Sequence, residues 1–144
     1  MKQCFFIALL VAALAVPVNL ASQESRFTDN GDGTVTDNTT GLMWQQTDDD
    51  VARNWESALG YCEDLTLAGH TDWRLPDIKE LRSIVDNTRY NPSIDTTYFP
   101  GTKSWYYWSS SPGALYTDVA WSVYFYYGQV AYVKTDTYYV RCVR

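Results

Sequence analysis

Gly69-His70-Thr71-Asp72-Trp73-Arg74-Leu75-Pro76-Asp77-Ile78-Lys79-Glu80-Leu81 joins two helical patterns, and its reading decides the fold. Upstream, Trp55, Ala58, Leu59, Cys62 and Leu65 recur at helical spacing. They predict an amphipathic helix from about Ala52 to Leu67, ended by Ala68-Gly69. Downstream, the second helix is expected to open near Pro76, a residue favoured at the first helical position, and to run through Ile78, Leu81, Ile84 and Val85. Asp77 and Glu80 then fall in its first turn, where the helix dipole favours negative charge.

Outward from this junction the pattern is β. Between Arg26 and Gln46, Asn30-Gly31 and Asp32-Gly33 are tight-turn dipeptides, and Asp37 to Gly41 is a second turn. Thr34-Val35-Thr36 and Leu42-Met43-Trp44 read as strands, and Asn87 to Gly101 as an irregular loop. From Ser104 onward, 13 of 41 residues are Trp, Tyr or Phe. Trp121, Val123 and Phe125 alternate with Ser122, Tyr124 and Tyr126, which is strand periodicity. Gly128-Gln129 is a turn, Val130 to Lys134 the returning strand and Tyr138 to Val143 the last one. The last strand is expected to carry Val140 and Cys142 on one face, Tyr139 and Arg141 on the other. A hairpin, two helices, a long loop and an antiparallel meander make an α+β domain.

A basic start, the apolar run from Cys4 to Val16 and a small-residue exit predict a secretory signal peptide over residues 1–21, with cleavage after Ala15 as the alternative. Residues 22–144 then form one domain of ordinary size, with no transmembrane segment once the leader is removed. The destination is the periplasm, the outside or the cell surface. The leader takes one of the 11 basic residues, leaving 10 against 17 acidic ones, a net charge of −7. Nucleic acid and polyanions are disfavoured as partners by repulsion. Arg141 and Arg144, with Lys134, are the candidates for a local basic patch. Cys62 and Cys142 remain, and in an exported protein a disulfide is expected rather than two free thiols. It would close a loop of about 80 residues and restrict the unfolded chain by roughly 4–5 kcal/mol.

An ordered set of motifs carries a resemblance. Gly41-Leu42-Met43-Trp44-Gln45, Trp55-x-x-Ala58 with Cys62, Asp72-Trp73-Arg74-Leu75-Pro76 with Glu80-Leu81, Tyr107-Trp108-Ser109-Ser110 and Val140-Arg141-Cys142-Val143-Arg144 together resemble the Lcl C-terminal domain family, a bacterial family of largely unknown function. That family is in turn similar to the formylglycine-generating-enzyme type of C-type-lectin fold. The resemblance implies two helices packed on a twisted antiparallel sheet, N- and C-terminal strands adjacent, and a bridge between the first helix and the last strand. It also raises an enzyme reading, since formylglycine-generating enzymes use a reactive cysteine pair for copper-dependent oxidation. Here both mature cysteines stand where the structural bridge belongs, so no catalytic residue, cofactor or metal is expected.

Each remaining motif has a structural and a functional reading. Trp73, Arg74 and Pro76 are read as structural: Trp73 in the core, Arg74 bonding loop carbonyls or a carboxylate, Pro76 fixing the helix start. Asp29, Asp32 and Asp37 do not fit a calcium loop, which needs oxygen donors at fixed positions and a closing glutamate. They read as turn residues. Asp48-Asp49-Asp50 reads as a solvated approach to the first helix. His70, the single histidine, excludes a multi-histidine zinc site and reads as a turn residue.

Trp105, Trp108, Trp121 and Phe125 are assigned to core or sheet. Tyr106, Tyr116, Tyr124, Tyr126, Tyr132 and Tyr139 are the candidate ligand-binding residues, because a small core cannot pair so many buried hydroxyls. Tyrosine and tryptophan supply large contact area at low rotamer cost, the chemistry of binding paratopes and of sugar-stacking platforms. The expectation is a secreted, non-catalytic module that binds a protein or glycan through this C-terminal face. A self-assembling surface subunit is the alternative.

Overall fold

The computed structural model describes residues 25–115, 119–132 and 135–144. The expected signal peptide and Tyr116 lie outside the described residues. Six strands and two helices follow in the order β1 (Phe27–Asp29), β2 (Thr34–Asp37), β3 (Met43–Gln45), α1 (Trp55–Glu63), α2 (Ile78–Ser83), β4 (Tyr106–Pro112), β5 (Ala120–Tyr124) and β6 (Gln129–Tyr132). They form an α+β fold with two three-stranded antiparallel sheets, β1-β2-β3 and β4-β5-β6. The family resemblance implied one sheet. The strands divide because β3 does not pair with β4; the C-terminal segment lies between them instead.

Turn chemistry builds the first sheet. Gly31 and Gly33 take φ of +74° and +86°, the left-handed region that a tight turn needs and that glycine enters without cost. Asp29 accepts the Gly31 amide at 2.8 Å, and Asp32 accepts the Thr34 amide at 3.1 Å. Asp37 is fully buried and pairs with Arg26 at 2.7 Å. The three carboxylates are thus used locally, as turn residues. No group of three or more metal-ligating side chains occurs among the described residues.

Helix α1 is shorter than its apolar stripe. Asn54 caps it, accepting the Ser57 amide at 2.9 Å, and it ends at Asp64. It cannot start earlier, because Arg53 is held in extended backbone pairing with Tyr138, with N···O distances of 2.8 and 2.9 Å. Ala68 and Gly69, expected to end the helix, form a separate two-residue turn with φ of +54° and +76°, closed by Leu67 and His70. Pro76 does not open α2. Asp77 caps it and Glu80 closes a capping box, so Pro76 stands one residue outside.

Between the helices, Trp73 and Leu75 are 2% and 3% exposed, while Arg74 points outward. This strand-like alternation is held by a two-way backbone pair between Arg74 and Val143, each bond 2.9 Å. The C-terminal segment stitches the fold together. Residues 142–144 run antiparallel to β3, and Tyr139 pairs in parallel with Tyr107 of β4. Cys142 joins Cys62 of α1 with a Cα–Cα distance of 5.5 Å. The expected disulfide is therefore present, between the first helix and the C-terminal segment.

Two hydrophobic clusters lie on either side of this stitch. One contains Trp44, Leu81, Phe99, Tyr107, Phe125 and Val143. The other contains Cys62, Trp73, Trp108, Tyr138, Val140 and Cys142. Because both faces of residues 140–143 are covered, alternation there no longer separates inside from outside. Arg141, expected on an outer face, is fully buried. Arg144 pairs with Asp72 at 2.7 Å, so neither arginine is left as a free surface cation, and Lys134 lies outside the described residues.

The acidic run is a solvated helix approach only in part: Asp49 and Asp50 are exposed, and Asp48 is not. Asp48 is 8% exposed and accepts the Tyr107 hydroxyl in a short hydrogen bond. Asp49 pairs with Arg53, and Asp50 pairs with Lys103 at 2.9 Å. Each carboxylate is used by a different partner, and Asn54 does the capping.

Candidate functional site

The pairing of β4 with β5 sets Tyr106 directly opposite Tyr124. Side chains on such a pair meet across the strands, and these two rings stack with centroids 4.4 Å apart and planes 19° apart. Tyr138 stacks on Tyr106 at 4.8 Å, and Trp108 meets Tyr138 at 4.3 Å. Tyr126 lies parallel to Tyr124 at 5.9 Å, and Tyr127 meets Tyr126 at 4.4 Å. The result is one continuous aromatic ladder, rooted in the core at Trp108 and running outward to Tyr127, which is 58% exposed.

Trp105 flanks the ladder. Its plane stands at 83° to Tyr106 and 84° to Tyr124, with centroids 5.5 and 5.9 Å away. Tyr106 has Tyr124 and Tyr138 on its two faces, so only its edge remains to meet the indole. One indole face thus receives tyrosine edges, the favoured perpendicular geometry. The residue is still 49% exposed, not the core residue that the sequence suggested, because it precedes β4 and its ring lies across the outside of the stack.

The hydroxyls sort by role. Those of Tyr61, Tyr98, Tyr107 and Tyr138 have side-chain partners in Gln45, Ser25, Asp48 and Asp136. Among the described residues the hydroxyls of Tyr106, Tyr124 and Tyr126 have none. Burial, then the neighbouring Asp136 carboxylate, pushes the Tyr138 phenol up to about 12, so it stays a protonated donor. The ladder therefore offers phenol oxygens and ring edges outward while most ring faces cover one another.

The structure brings together Tyr106, Tyr124 and Tyr126 of the candidate residues. Tyr139 lies elsewhere: it meets Tyr107 at 5.6 Å and packs against the first core cluster. Tyr132 is 57% exposed on β6 and meets Trp121 at 5.1 Å, beside Leu115 in a second apolar region. Trp105, Tyr127 and Tyr138 complete the ladder without having been chosen from the sequence. For Trp105 and Tyr127 the available signal was position: each stands just outside a strand end, where a large ring has no sheet neighbour on one side.

The profile of the Lcl C-terminal domain matches residues 33–144. The chain belongs to the Lcl C-terminal domain family. Within this Lcl C-terminal domain the match spans β2 through the C-terminal segment, and so includes the disulfide and the whole aromatic ladder. No curated protein matches the chain. In this Lcl C-terminal domain no helix among the described residues is long and apolar enough to cross a membrane.

Proposed function

We propose that this Lcl C-terminal domain is an exported, non-catalytic binding module that recognises a protein through the ladder of Trp105, Tyr106, Tyr124, Tyr126 and Tyr127. We also assign it to the C-type-lectin-like folds of the formylglycine-generating-enzyme type, on its family membership and its α1-to-C-terminus disulfide. The observation that carries the binding reading is the stack itself. Rigid aromatic side chains are held outward with hydroxyls unpaired among the described residues, the arrangement that gives large contact area at low entropic cost.

Protein is preferred to glycan as the ligand because sugar rings stack on open aromatic faces. Here Tyr106 is covered on both sides, and Tyr124 is flanked by Tyr106 and Tyr126. Apart from the exposed rings of Trp105 and Tyr127 at its margins, what remains suits hydrogen bonding and edge contact with a polypeptide.

The test is binding of the purified mature domain to cell surfaces and, in parallel, to a glycan array. The expected result is saturable surface binding that a double Tyr124→Ala, Tyr126→Ala substitution removes without lowering the melting temperature by more than a few degrees. Persistence of binding in that variant places the site elsewhere. A defined glycan hit lost in the same variant would replace protein by sugar as the ligand.

Self-association is the second reading, favoured by a separate observation. Strand β6 is the outer strand of its sheet among the described residues, with Val130 and Tyr132 40% and 57% exposed and Leu115 87% exposed nearby. Light scattering after size exclusion separates the two: a concentration-independent monomer excludes assembly through this edge. Copper-dependent oxidase chemistry would require copper binding and oxidation of a thiol substrate. The cysteine pair it would draw on is engaged in the buried bridge.

A further inference from the structure

A recess of about 360 Å³ opens at the root of the ladder, lined by Trp105, Tyr106, Asp136, Thr137 and Tyr138. Three of its five lining residues are aromatic, and the one charged residue is a carboxylate. Most aspartates near cations are already engaged: Asp37, Asp48, Asp49, Asp50, Asp72, Asp86 and Asp95 each have an arginine or lysine within 4.0 Å. Asp136 has no such partner among the described residues. Among the described residues its one hydrogen bond is a long one, 3.4 Å, from Tyr138 Oη. Arg53, the cation whose backbone pairs with Tyr138, is turned away: its guanidinium is held by Asp49 and lies 4.0 Å above the Tyr61 ring. The recess therefore combines π-rich walls with a carboxylate that no cation among the described residues compensates.

Electron-rich aromatic walls attract cations, tryptophan most strongly, and a carboxylate adds a direct charge partner. An anion would meet repulsion from Asp136 and from the net charge of −6. A neutral apolar group would leave the carboxylate and the Thr137 hydroxyl without benefit. We propose that this recess is a cage for an alkylammonium group, and that its occupant is a lysine side chain of the protein bound along the ladder. The proposal rests on the ladder being a protein-binding surface. It adds the feature that surface would select: a basic side chain entering beside an aromatic contact strip. Lysine's four-carbon stem suits the geometry, since its methylenes can lie along Trp105 while the ammonium reaches Asp136.

The test uses the mature domain and a short capped peptide, acetyl-Gly-Lys-Gly-amide, with the norleucine peptide as its uncharged counterpart. Binding is read from the Trp105 indole N–H shift in NMR titrations. The lysine peptide is expected to bind saturably, with the norleucine peptide weaker by about fivefold or more. Asp136→Asn should remove that preference and leave the thermal midpoint unchanged, because Asp136 is exposed. Trp105→Ala, followed through the Tyr138 ring signals, should weaken the lysine peptide as well. Equal binding of the two peptides, or an Asp136→Asn variant that keeps the preference, overturns the cage. So does binding of free choline or of phosphatidylcholine vesicles in the absence of lysine-peptide binding, which would make the recess a headgroup site. The two readings fail separately. A protein partner lost in the Tyr124→Ala, Tyr126→Ala variant but held unchanged by Asp136→Asn removes the cage and keeps the ladder. A partner indifferent to both removes the ladder.

Discussion

Arg141 is the residue on which the packing of this domain turns. Its side chain is fully buried, yet two of its three guanidinium nitrogens are bonded. Nη1 donates to the Gln45 carbonyl at 2.8 Å and, in a shorter bond, to the Gln46 carbonyl. Nη2 donates to Thr102 Oγ1 at 2.8 Å and faces Asp48 at 3.6 Å, while Phe99 lies 5.1 Å beneath the guanidinium carbon. Removing the cation would leave a buried carboxylate without its charge partner and take the guanidinium donor from two carbonyls in one step. Arg141→Ala is therefore expected to cost about 3–5 kcal/mol in urea unfolding, and Arg141→Lys to recover little, because an ammonium cannot span the same acceptors. A loss below about 1 kcal/mol would show that water or repacking satisfies Asp48 and the carbonyls. Tyr107→Phe probes the same network from the other side. It takes the hydroxyl from Asp48 and leaves the Lys103 amide, now 2.9 Å from Tyr107 Oη, without an acceptor. About 1–3 kcal/mol should be lost. None of this was legible in the sequence. An arginine between two apolar residues near a C-terminus reads as the outer face of a strand, and only the closure of two cores over residues 140–143 reverses that.

Helix α2 shows how much local sequence can decide. Six residues cannot form a stable helix alone, so its ends and packing must supply the stability. Asp77 accepts the Glu80 amide at 2.8 Å, and Glu80 accepts the Asp77 amide at 2.8 Å and both terminal nitrogens of Arg74 at 2.7 Å. Asp77→Ala should cost about 1 kcal/mol, read from the thermal midpoint. Arg74→Ala should cost less, since its side chain is 48% exposed and exposed pairs contribute under about 1 kcal/mol. The Arg74 hydrogen bonds, against an opposing desolvation, and the Asp77 amide hold the Glu80 carboxyl below its usual value. A carboxyl lowered on folding stabilises fully above its unfolded pKa, near about 4.3. That contribution fades as pH falls through the folded value. Unfolding free energy measured between neutral pH and about pH 2 should therefore fall more steeply for the parent than for Glu80→Gln across the acid limb. Parallel curves would remove Glu80 from the account. The existence of both helices, the first hairpin and the strands after Trp121 could be read from periodicity and turn residues, whereas β4 was not. Their limits could not. Arg53 belongs to a bridge with Tyr138, a residue 85 positions away, and that pairing, not the apolar stripe, stops α1 at its N-terminus. The candidate site was half legible for the same reason: Tyr124 and Tyr126 follow from strand alternation and Tyr106 from the excess of hydroxyls over what a small core can pair, but Tyr138 joins them only through a segment that pairs with β4.

At the scale of the whole molecule, the C-terminal segment holds together parts that have no direct strand pairing. It runs along β3, pairs with Arg74 between the helices, joins β4 through Tyr139 and is tied to α1 through Cys142. The two sheets thus depend on a stretch that contributes only isolated bridges, and the covalent link is what keeps that stretch in place when the chain opens. Closing a separation of 80 residues restricts the unfolded ensemble by roughly 4–5 kcal/mol in the chain-entropy account. Such a sum is a large fraction of the 5–15 kcal/mol that keeps a domain of this size folded. The double variant Cys62→Ala, Cys142→Ala is expected to lower the unfolding free energy by about 3–5 kcal/mol in urea, with reducing agent producing the same shift in the parent and none in the variant. A drop below about 1 kcal/mol would mean that the backbone pairs to β3 and Arg74 already fix the segment in the denatured ensemble. The same experiment bears on function. Tyr138 stacks under Tyr106 and stands only four residues from Cys142, so loosening the segment withdraws the root of the ladder. Ligand binding by the unbridged variant, measured at a temperature where it is still folded, should weaken more than its loss of folded population accounts for. Binding that follows the folded fraction alone would show that Tyr106, Tyr124 and Tyr126 keep their stack without Tyr138 beneath it.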